Sequence, residues 1–142
     1  MAVATATSTV YTQTPMPQHI HSNYVGGKID LSARTLSDII WFAKVPNQAV
    51  ITRIRMICRH GDTTRTMKLG ITGGSAASET AFGTLTLTTN LVQPVAGLPF
   101  KVSISDTDAQ AGATIYGTIA TGTWTTSGSF EFGIEYRFDV KT

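Results

Sequence analysis

The sequence predicts an all-β fold, an antiparallel and jelly-roll-like β-sandwich of about eight strands with an extended N-terminal arm. Threonine and serine fill 24 and 10 of the 142 positions, and β-branched threonine suits pleated, half-exposed strands. Charged residues make up only 14% of the chain, below the average for soluble domains. Short apolar segments alternate with Gly, Pro, Asn and Asp along most of the sequence. These features argue against a helical bundle, a coiled coil or a disordered chain.

Residues 1–24 differ in composition from the rest of the chain, because they contain no Lys, Arg, Asp or Glu. Pro15 and Pro17 favour extended backbone around them. We therefore expect an extended arm over residues 1–24 and a single sandwich domain over residues 25–142. Two interpretations of the arm stay open, a disordered terminus or a segment that orders on a partner. In the second, the anchoring side chains would be Val10, Tyr11, Met16 and Ile20.

The clearest strand prediction is the segment 129–138, in which apolar and polar residues alternate with a period of two. One face carries Phe130, Phe132, Ile134, Tyr136 and Phe138. The other face carries Glu131, Glu135, Arg137 and Asp139. This pattern predicts a strand with one face in the core.

The segment 49–60 alternates in the same way and predicts a second long strand. Its apolar face carries Val50, Ile54, Met56 and Cys58. Its other face carries Ile51, Arg53, Arg55, Ile57 and Arg59. A turn signal at His60–Asp62 precedes a run with Met67, Leu69 and Ile71 on one face, which predicts a hairpin between the two segments.

Further strands are expected at Lys28–Leu31, Ile39–Val45, Thr84–Thr88, Phe100–Ser105 and Thr114–Ala120. Residues 90–99 are rich in turn-forming residues and predict a loop. A short helical turn is compatible with residues 75–82, where Ala76, Ala77, Glu79 and Ala81 tolerate one.

Basic residues concentrate around the second long strand. Residues 53–68 carry five basic side chains and one acidic side chain, whereas the whole chain has a net charge of only +2. Arginine suits bidentate recognition of carboxylates and phosphates. Three interpretations of Arg53, Arg55 and Arg59 remain open: a solvated face, a contact with an acidic protein or sister subunit, and nucleic-acid binding. The last is disfavoured because no aromatic residues are interleaved with the arginines.

No catalytic or metal-binding motif is complete in the sequence. The segment Gly73–Ala77 departs from the G-x-S-x-G pattern at its last position. Glu131 and Glu135 would lie roughly 13 Å apart on one strand, too far for a glycosidase pair. His19 and His21 supply only two metal ligands. We therefore expect no enzyme activity, no metal and no cofactor.

No membrane span or secretion signal is expected either, since the longest apolar run has five residues and a span needs about 18. The first 24 residues lack the basic start and apolar centre of a signal peptide. Synthesis in a reducing cytoplasm agrees with the single cysteine.

The order of segments over residues 28–140 resembles that of small β-sandwich proteins that decorate or cement the capsids of tailed bacteriophages. The resemblance is carried by Trp41–Asn47, Ala49–Ile51, Met67–Ile71, Leu98–Phe100 and Ile134–Phe138. It implies a module displayed in many copies on a shell, often as trimers, with arms that reach over neighbouring subunits. The arm contains no Lys or Arg, which argues against genome packaging.

The resemblance and composition together predict a structural virion protein on the outer capsid surface. Its expected partners are the major capsid protein of the same particle and two further copies in a homotrimer. An alternative is a receptor- or glycan-binding module in which Trp124, in a loop, stacks on a sugar. Another is a structural component of a phage tail, neck or fibre.

Overall fold

The structure is a computed structural model that describes residues 5–7, 23–30, 35–59, 65–72, 78–87, 90–92, 97–103, 112–121 and 129–138. These residues form ten strands: β1 (Thr5–Thr7), β2 (Asn23–Asp30), β3 (Ile39–Val45), β4 (Ala49–Arg59), β5 (Thr66–Ile71), β6 (Thr84–Thr86), β7 (Asn90–Val92), β8 (Phe100–Lys101), β9 (Ala113–Thr121) and β10 (Ser129–Phe138). In the part of the chain described, no helix is long and apolar enough to cross a membrane.

The strands form two sheets, which we name after strands in their interiors. The β9 sheet has the order β1-β3-β9-β5-β6. The β10 sheet has the order β2-β10-β4-β7, with β8 also paired to β4. All of these pairings are antiparallel except that of β1 with β3. The predicted all-β sandwich is confirmed.

The core lies between the two sheets and is built from the inward positions of each strand. Phe42 of the β9 sheet meets Phe132 of the β10 sheet edge-on, with ring centroids 5.1 Å apart. Phe82 meets Phe100 at 5.5 Å in the same geometry. Edge-to-face pairs are favourable beyond the area that they bury, so these contacts help to hold one sheet on the other.

The alternation predicted for β10 is confirmed at Phe132, Ile134, Tyr136 and Arg137, whereas Glu131, Glu135 and Phe138 are all half-buried. Phe132, Ile134 and Tyr136 are buried, whereas Arg137 is exposed. β10 lies between β2 and β4 and pairs with both along most of its length.

Ile51 is buried in the core, so its predicted place on the face of Arg53 and Arg55 is wrong. The cause is an irregularity in the pairing of β4 with β10, where Ile51 is opposite Tyr136 and Arg53 is opposite Glu135. Thr52 is the extra residue of this β-bulge, and its hydroxyl donates to the Glu135 carbonyl at 3.2 Å. Because one residue is inserted, the alternation changes phase and Ile51 points inward.

The predicted hairpin between β4 and β5 is also wrong, since the two strands belong to different sheets. One edge of β4 is taken by β10 and the other by β7 and β8. β5 pairs instead with β9 and β6, and buries Met67, Leu69 and Ile71 as predicted. The chain therefore crosses from one sheet to the other after β4.

Two local predictions need correction. β7 lies within the segment predicted as a loop, where it pairs with Met56–Cys58 of β4. The described part of the segment predicted as a helical turn, 78–82, forms turns and an isolated bridge between Ser78 and Ile71. The Ser78 carbonyl accepts the Ile71 N–H at 3.1 Å, which ties this segment to β5.

β1 and the start of β2 both fall inside residues 1–24. β1 runs parallel to β3, with Thr5 opposite Ile39 and Thr7 opposite Trp41. The division into an arm and a domain remains a prediction.

Candidate interaction surface

Arg53 and Arg55 lie on the outer face of the β10 sheet and are exposed. Neither forms an ion pair with another residue that the structure describes. Arg59 is the last residue of β4, and its side chain is not among those that the structure describes. β4 contains no acidic residue, so its outer side presents a row of positive charge.

The neighbouring strand adds an acidic row that sequence reasoning did not place beside the arginines. In the pairing register, Glu135 is opposite Arg53, Gly133 is opposite Arg55, and Glu131 is opposite Ile57. On the other side of β10, Tyr24 is opposite Glu135 and Lys28 is opposite Glu131. The surface therefore carries both basic and acidic side chains, together with Tyr24 and Ile57, and is not uniformly basic.

Tyr24 covers two glycines at the centre of this face. Gly26 and Gly133 are paired across β2 and β10, and a Cβ atom at either would come within 2.5 Å of the Tyr24 hydroxyl oxygen. The two glycines therefore let the tyrosine lie against the backbone. The side chain is still 67% exposed, which leaves most of it open to a partner.

A shallow pocket of about 150 Å³ opens beside Tyr24. Its lining consists of Tyr24, Arg55, Ile57, Glu131, Phe132 and Gly133. It is smaller than the roughly 300–1,000 Å³ of typical small-molecule sites. Exposed tyrosine and arginine side chains around a small concavity are instead typical of protein–protein contacts.

Cys58 lies on the opposite, inward side of β4 and is only 1% exposed. Burial raises the pKa of its thiol to about 11, although the positive charge of Arg65 acts in the other direction. A thiol in this state is a poor nucleophile at neutral pH. Among the described residues, no group of three His, Cys, Asp or Glu side chains is placed to hold a metal ion.

A second aromatic cluster lies on the outer face of the β9 sheet. Trp41 and Tyr116 are half-buried, with ring centroids 5.3 Å apart. The pKa of Tyr116 is raised by burial and by the negative charge of Glu79. Glu79 in turn pairs with Lys68 at 3.0 Å. Trp41 is also opposite Thr7 of β1, so this cluster lies beside the N-terminal strand.

The structure brings together only part of the predicted contact set. Val10, Tyr11, Met16, Ile20 and Trp124 lie outside the described residues. Tyr24 and its two glycines were not predicted as part of a site, because the strand prediction began only at Lys28. The available signal was the pair Gly26–Gly27, which begins two residues after Tyr24.

The architecture defines this chain as an all-β sandwich protein. No protein-family model matches the chain, and no curated protein matches it.

Two solved structures with chains of the same fold are described as phage capsids. A chain of the structure described as the cyanophage Pam1 capsid asymmetric unit superposes with a TM-score of 0.62 and 17% identity, over 90% of this chain and 94% of its own length. A chain of the capsid of Ralstonia phage GP4 superposes with a TM-score of 0.61 and 16% sequence identity. The match covers 97% of this chain and 100% of the phage GP4 chain. At this identity the likeness establishes a shared fold over nearly the full length of both chains.

Proposed function

We propose that this protein is a structural component of a bacteriophage capsid that decorates the shell and stabilises it by bridging shell subunits. One observation carries the proposal, the match of 90–97% of this chain to nearly entire chains in two phage capsid structures. The matched chains are nearly whole, so the likeness covers the fold as a unit and not a single shared motif.

The described surface supports a role in contact rather than catalysis. Its concavity is too small for a typical substrate and is rimmed by exposed side chains suited to a protein partner. The proposed partner is the major capsid protein of the same particle, and the proposed location is the outer surface of the capsid. We further propose a homotrimer, so that one unit contacts several shell subunits at once.

Bridging stabilises a shell because binding is thermodynamically linked to assembly. A protein that binds two shell subunits in their assembled arrangement, and binds a dissociated subunit less well, favours the assembled state. Several weak contacts on one rigid unit also reinforce each other because each raises the effective concentration of the next. In this mechanism the outer face of the β10 sheet provides one contact, and Val10, Tyr11, Met16 and Ile20 of the arm provide another.

The copy number of this chain relative to the major shell protein, measured in purified particles by quantitative mass spectrometry, tests the proposal. Hundreds of copies in a fixed ratio to the shell protein would support it. A dozen or fewer would indicate a neck, tail or fibre component, with receptor or glycan binding then to be examined. A chain missing from the particles would refute the structural role.

Stabilisation and location need separate measurements. Particles assembled without this chain should release their genome at a lower temperature, and addition of the purified chain should restore the higher temperature. Limited proteolysis of intact particles should cleave this chain before the shell protein if it lies on the outside. Sedimentation of the purified chain should give the mass of three copies.

A further inference from the structure

We propose that the pocket beside Tyr24 receives one apolar side chain from an extended, acidic segment of another protein. Under the proposed function that protein is a shell subunit, and to this extent the inference rests on it. Tyr24 and Ile57 would contact the apolar side chain of this segment, and Arg53 and Arg55 would contact its carboxylates.

The pocket has a preformed apolar wall and a backbone floor. Gly26 and Gly133 hold no side chain that would displace Tyr24, so the tyrosine lies against the sheet before any partner arrives. Tyrosine loses few rotamers on binding because it has two side-chain torsions. Ile57, which is 36% exposed, adds a second apolar surface on the β4 side. The cavity volume of about 150 Å³ suits a single side chain rather than a whole ligand.

The positive row on β4 supplies the charge that selects an acidic segment. Arg53 and Arg55 are exposed and two residues apart, so they project to the same side at a spacing of roughly 6.7 Å. An extended chain projects alternate side chains at the same spacing. Carboxylates at its first and third positions therefore face Arg53 and Arg55, while an apolar residue at its fifth position reaches Ile57 and the pocket.

The other charged residues on the outer face of the β10 sheet determine along which strand an acidic segment can lie. Glu135 and Glu131 repel a carboxylate placed above the part of β10 that lies beside Arg53–Ile57. Arg137 of β10 is opposite Val50, beyond Arg53, and Lys28 on β2 is separated from β4 by the width of β10. An acidic segment is therefore favoured along β4 and disfavoured along β10. A second copy of this chain is the competing occupant, but it would present a sheet face where the concavity calls for a protruding side chain.

The test is a titration of the purified full-length chain with two synthetic peptides, followed by NMR of the backbone amides. One peptide has the sequence Ser-Asp-Ser-Asp-Ser-Leu-Ser with blocked ends, and its analogue replaces both aspartates with lysine. We expect saturable shifts at Tyr24, Arg55 and Gly133 with the acidic peptide alone. Arg55→Glu should weaken its binding roughly tenfold, as expected for the loss of a charge-assisted hydrogen bond.

The matched control is Lys101→Glu, which makes the same change in charge at an exposed residue of β8, outside the pocket lining. It should leave binding within about twofold of the wild type, because Lys101 is opposite Val50, five residues along β4 from Arg55, where the effect of a charge is screened. Tyr24→Ala should abolish the shifts at Gly133, and Arg53→Glu should weaken binding as Arg55→Glu does.

Three results would overturn the proposal: no saturable shift with the acidic peptide, equal shifts with both peptides, or equal weakening by Arg55→Glu and Lys101→Glu. Self-association of the wild type that Arg55→Glu removes, seen by sedimentation, would assign the face to a second copy and also overturn it. The copy number of the chain in particles is independent of these results. High copy number without peptide binding would leave only the proposed function, and peptide binding by a chain missing from particles would leave only this inference.

Discussion

Gly70 of β5 and Gly133 of β10 both lie in interior strands of their sheets. Substitution by alanine should nevertheless change the free energy of unfolding by very different amounts at the two positions. A Cβ atom at Gly70 would come within 2.5 Å of the Glu79 Cα, which is backbone and has little freedom to move. The three atoms nearest to a Cβ atom at Gly133 would all belong to the Tyr24 side chain, which is largely exposed and can rotate away.

We therefore expect Gly70→Ala to lower the free energy of unfolding by about 3 kcal/mol, in the upper range for overpacking. Gly133→Ala should change it by less than about 1 kcal/mol, because the lost contact is offset by the lower entropy of the unfolded chain. Urea denaturation of both variants measures the difference. Equal destabilisation would show that Tyr24 is held in place more firmly than its exposure indicates.

Burial of Cys58 makes the free energy of unfolding depend on pH in the alkaline range. Its pKa is raised from 9.0 to about 11 in the folded protein, mainly by burial. Between these values the unfolded chain loses the thiol proton while the folded chain keeps it, so the free energy of unfolding falls as pH rises from 9 to 11. The raised pKa values of Tyr116 and Tyr136 act in the same direction.

Urea denaturation across this pH range, with Cys58→Ala as the control, isolates the contribution of the thiol. The variant should lose stability less steeply with pH than the wild type, while the tyrosine contribution remains. Identical slopes for the two proteins would contradict a raised thiol pKa.

Individual residues were predictable from the sequence where the alternation was regular. Cys58, Met56 and Ile54 were expected on the inward side of β4, and all three are buried. Tyr24 was missed because its neighbours Gly26 and Gly27 carry no side chains, so the start of β2 shows no alternation. Its position over the glycines depends on pairing between strands that are distant in sequence, which a local pattern does not contain.

At the level of single strands, the β-bulge in β4 leads to a test by deletion. Thr52 is the extra residue between the pairs Ile51–Tyr136 and Arg53–Glu135. Deletion of Thr52 would join these pairs into a regular ladder and leave every other inward residue of β4 in place. Deletion of Arg55 would instead move Met56 and Cys58 to the outer face, because the side-chain period of a strand is two.

We expect the Thr52 deletion to fold with a loss of about 1–2 kcal/mol in the free energy of unfolding, from the lost hydroxyl contact and the altered twist. The Arg55 deletion should lose about 4 kcal/mol or more, from two apolar side chains no longer buried. Thermal denaturation followed by circular dichroism compares the two. A Thr52 deletion that is as unstable as the Arg55 deletion would argue against this register.

Strand positions were easier to predict than strand partners. β3 has the predicted bounds, and β9 differs from its prediction by one residue at each end. The hairpin of β4 with β5 was expected because the two are consecutive, but both edges of β4 are occupied by β10, β7 and β8. The partner of a strand depends on which edges remain open, and alternation within the strand does not report this.

At the scale of the whole molecule, removal of the N-terminal segment tests the arm. The structure sets the cut before Asn23, since Asn23 is buried and β2 begins there. A chain lacking residues 1–22 should keep its folded circular-dichroism spectrum, because removal of β1 from the edge of the β9 sheet leaves the other described strand pairings of both sheets in place. Its attachment to particles should weaken, as measured by co-sedimentation. Full retention of attachment would refute the arm as a contact.

The fold class was predictable because composition and alternation both depend on the whole chain. The proposed contact set was only partly predictable. Arg53 and Arg55 follow from the alternation of β4, whereas the glutamates beside them follow from the register of β10 on β4. Charge patterns along a single strand therefore overstated how basic this face is.

The interior position of β10 also determines when the protein can fold during synthesis. β10 joins β2 to β4, and its partners in β2 lie about a hundred residues earlier in the chain. Pairings this distant in sequence slow folding, because a long loop must close before any contact forms. Until β10 has left the ribosome, β2 and β4 have no strand between them. A nascent chain that stops short of β10 would therefore leave the facing edges of β2 and β4 unpaired and be a target for chaperones and proteases.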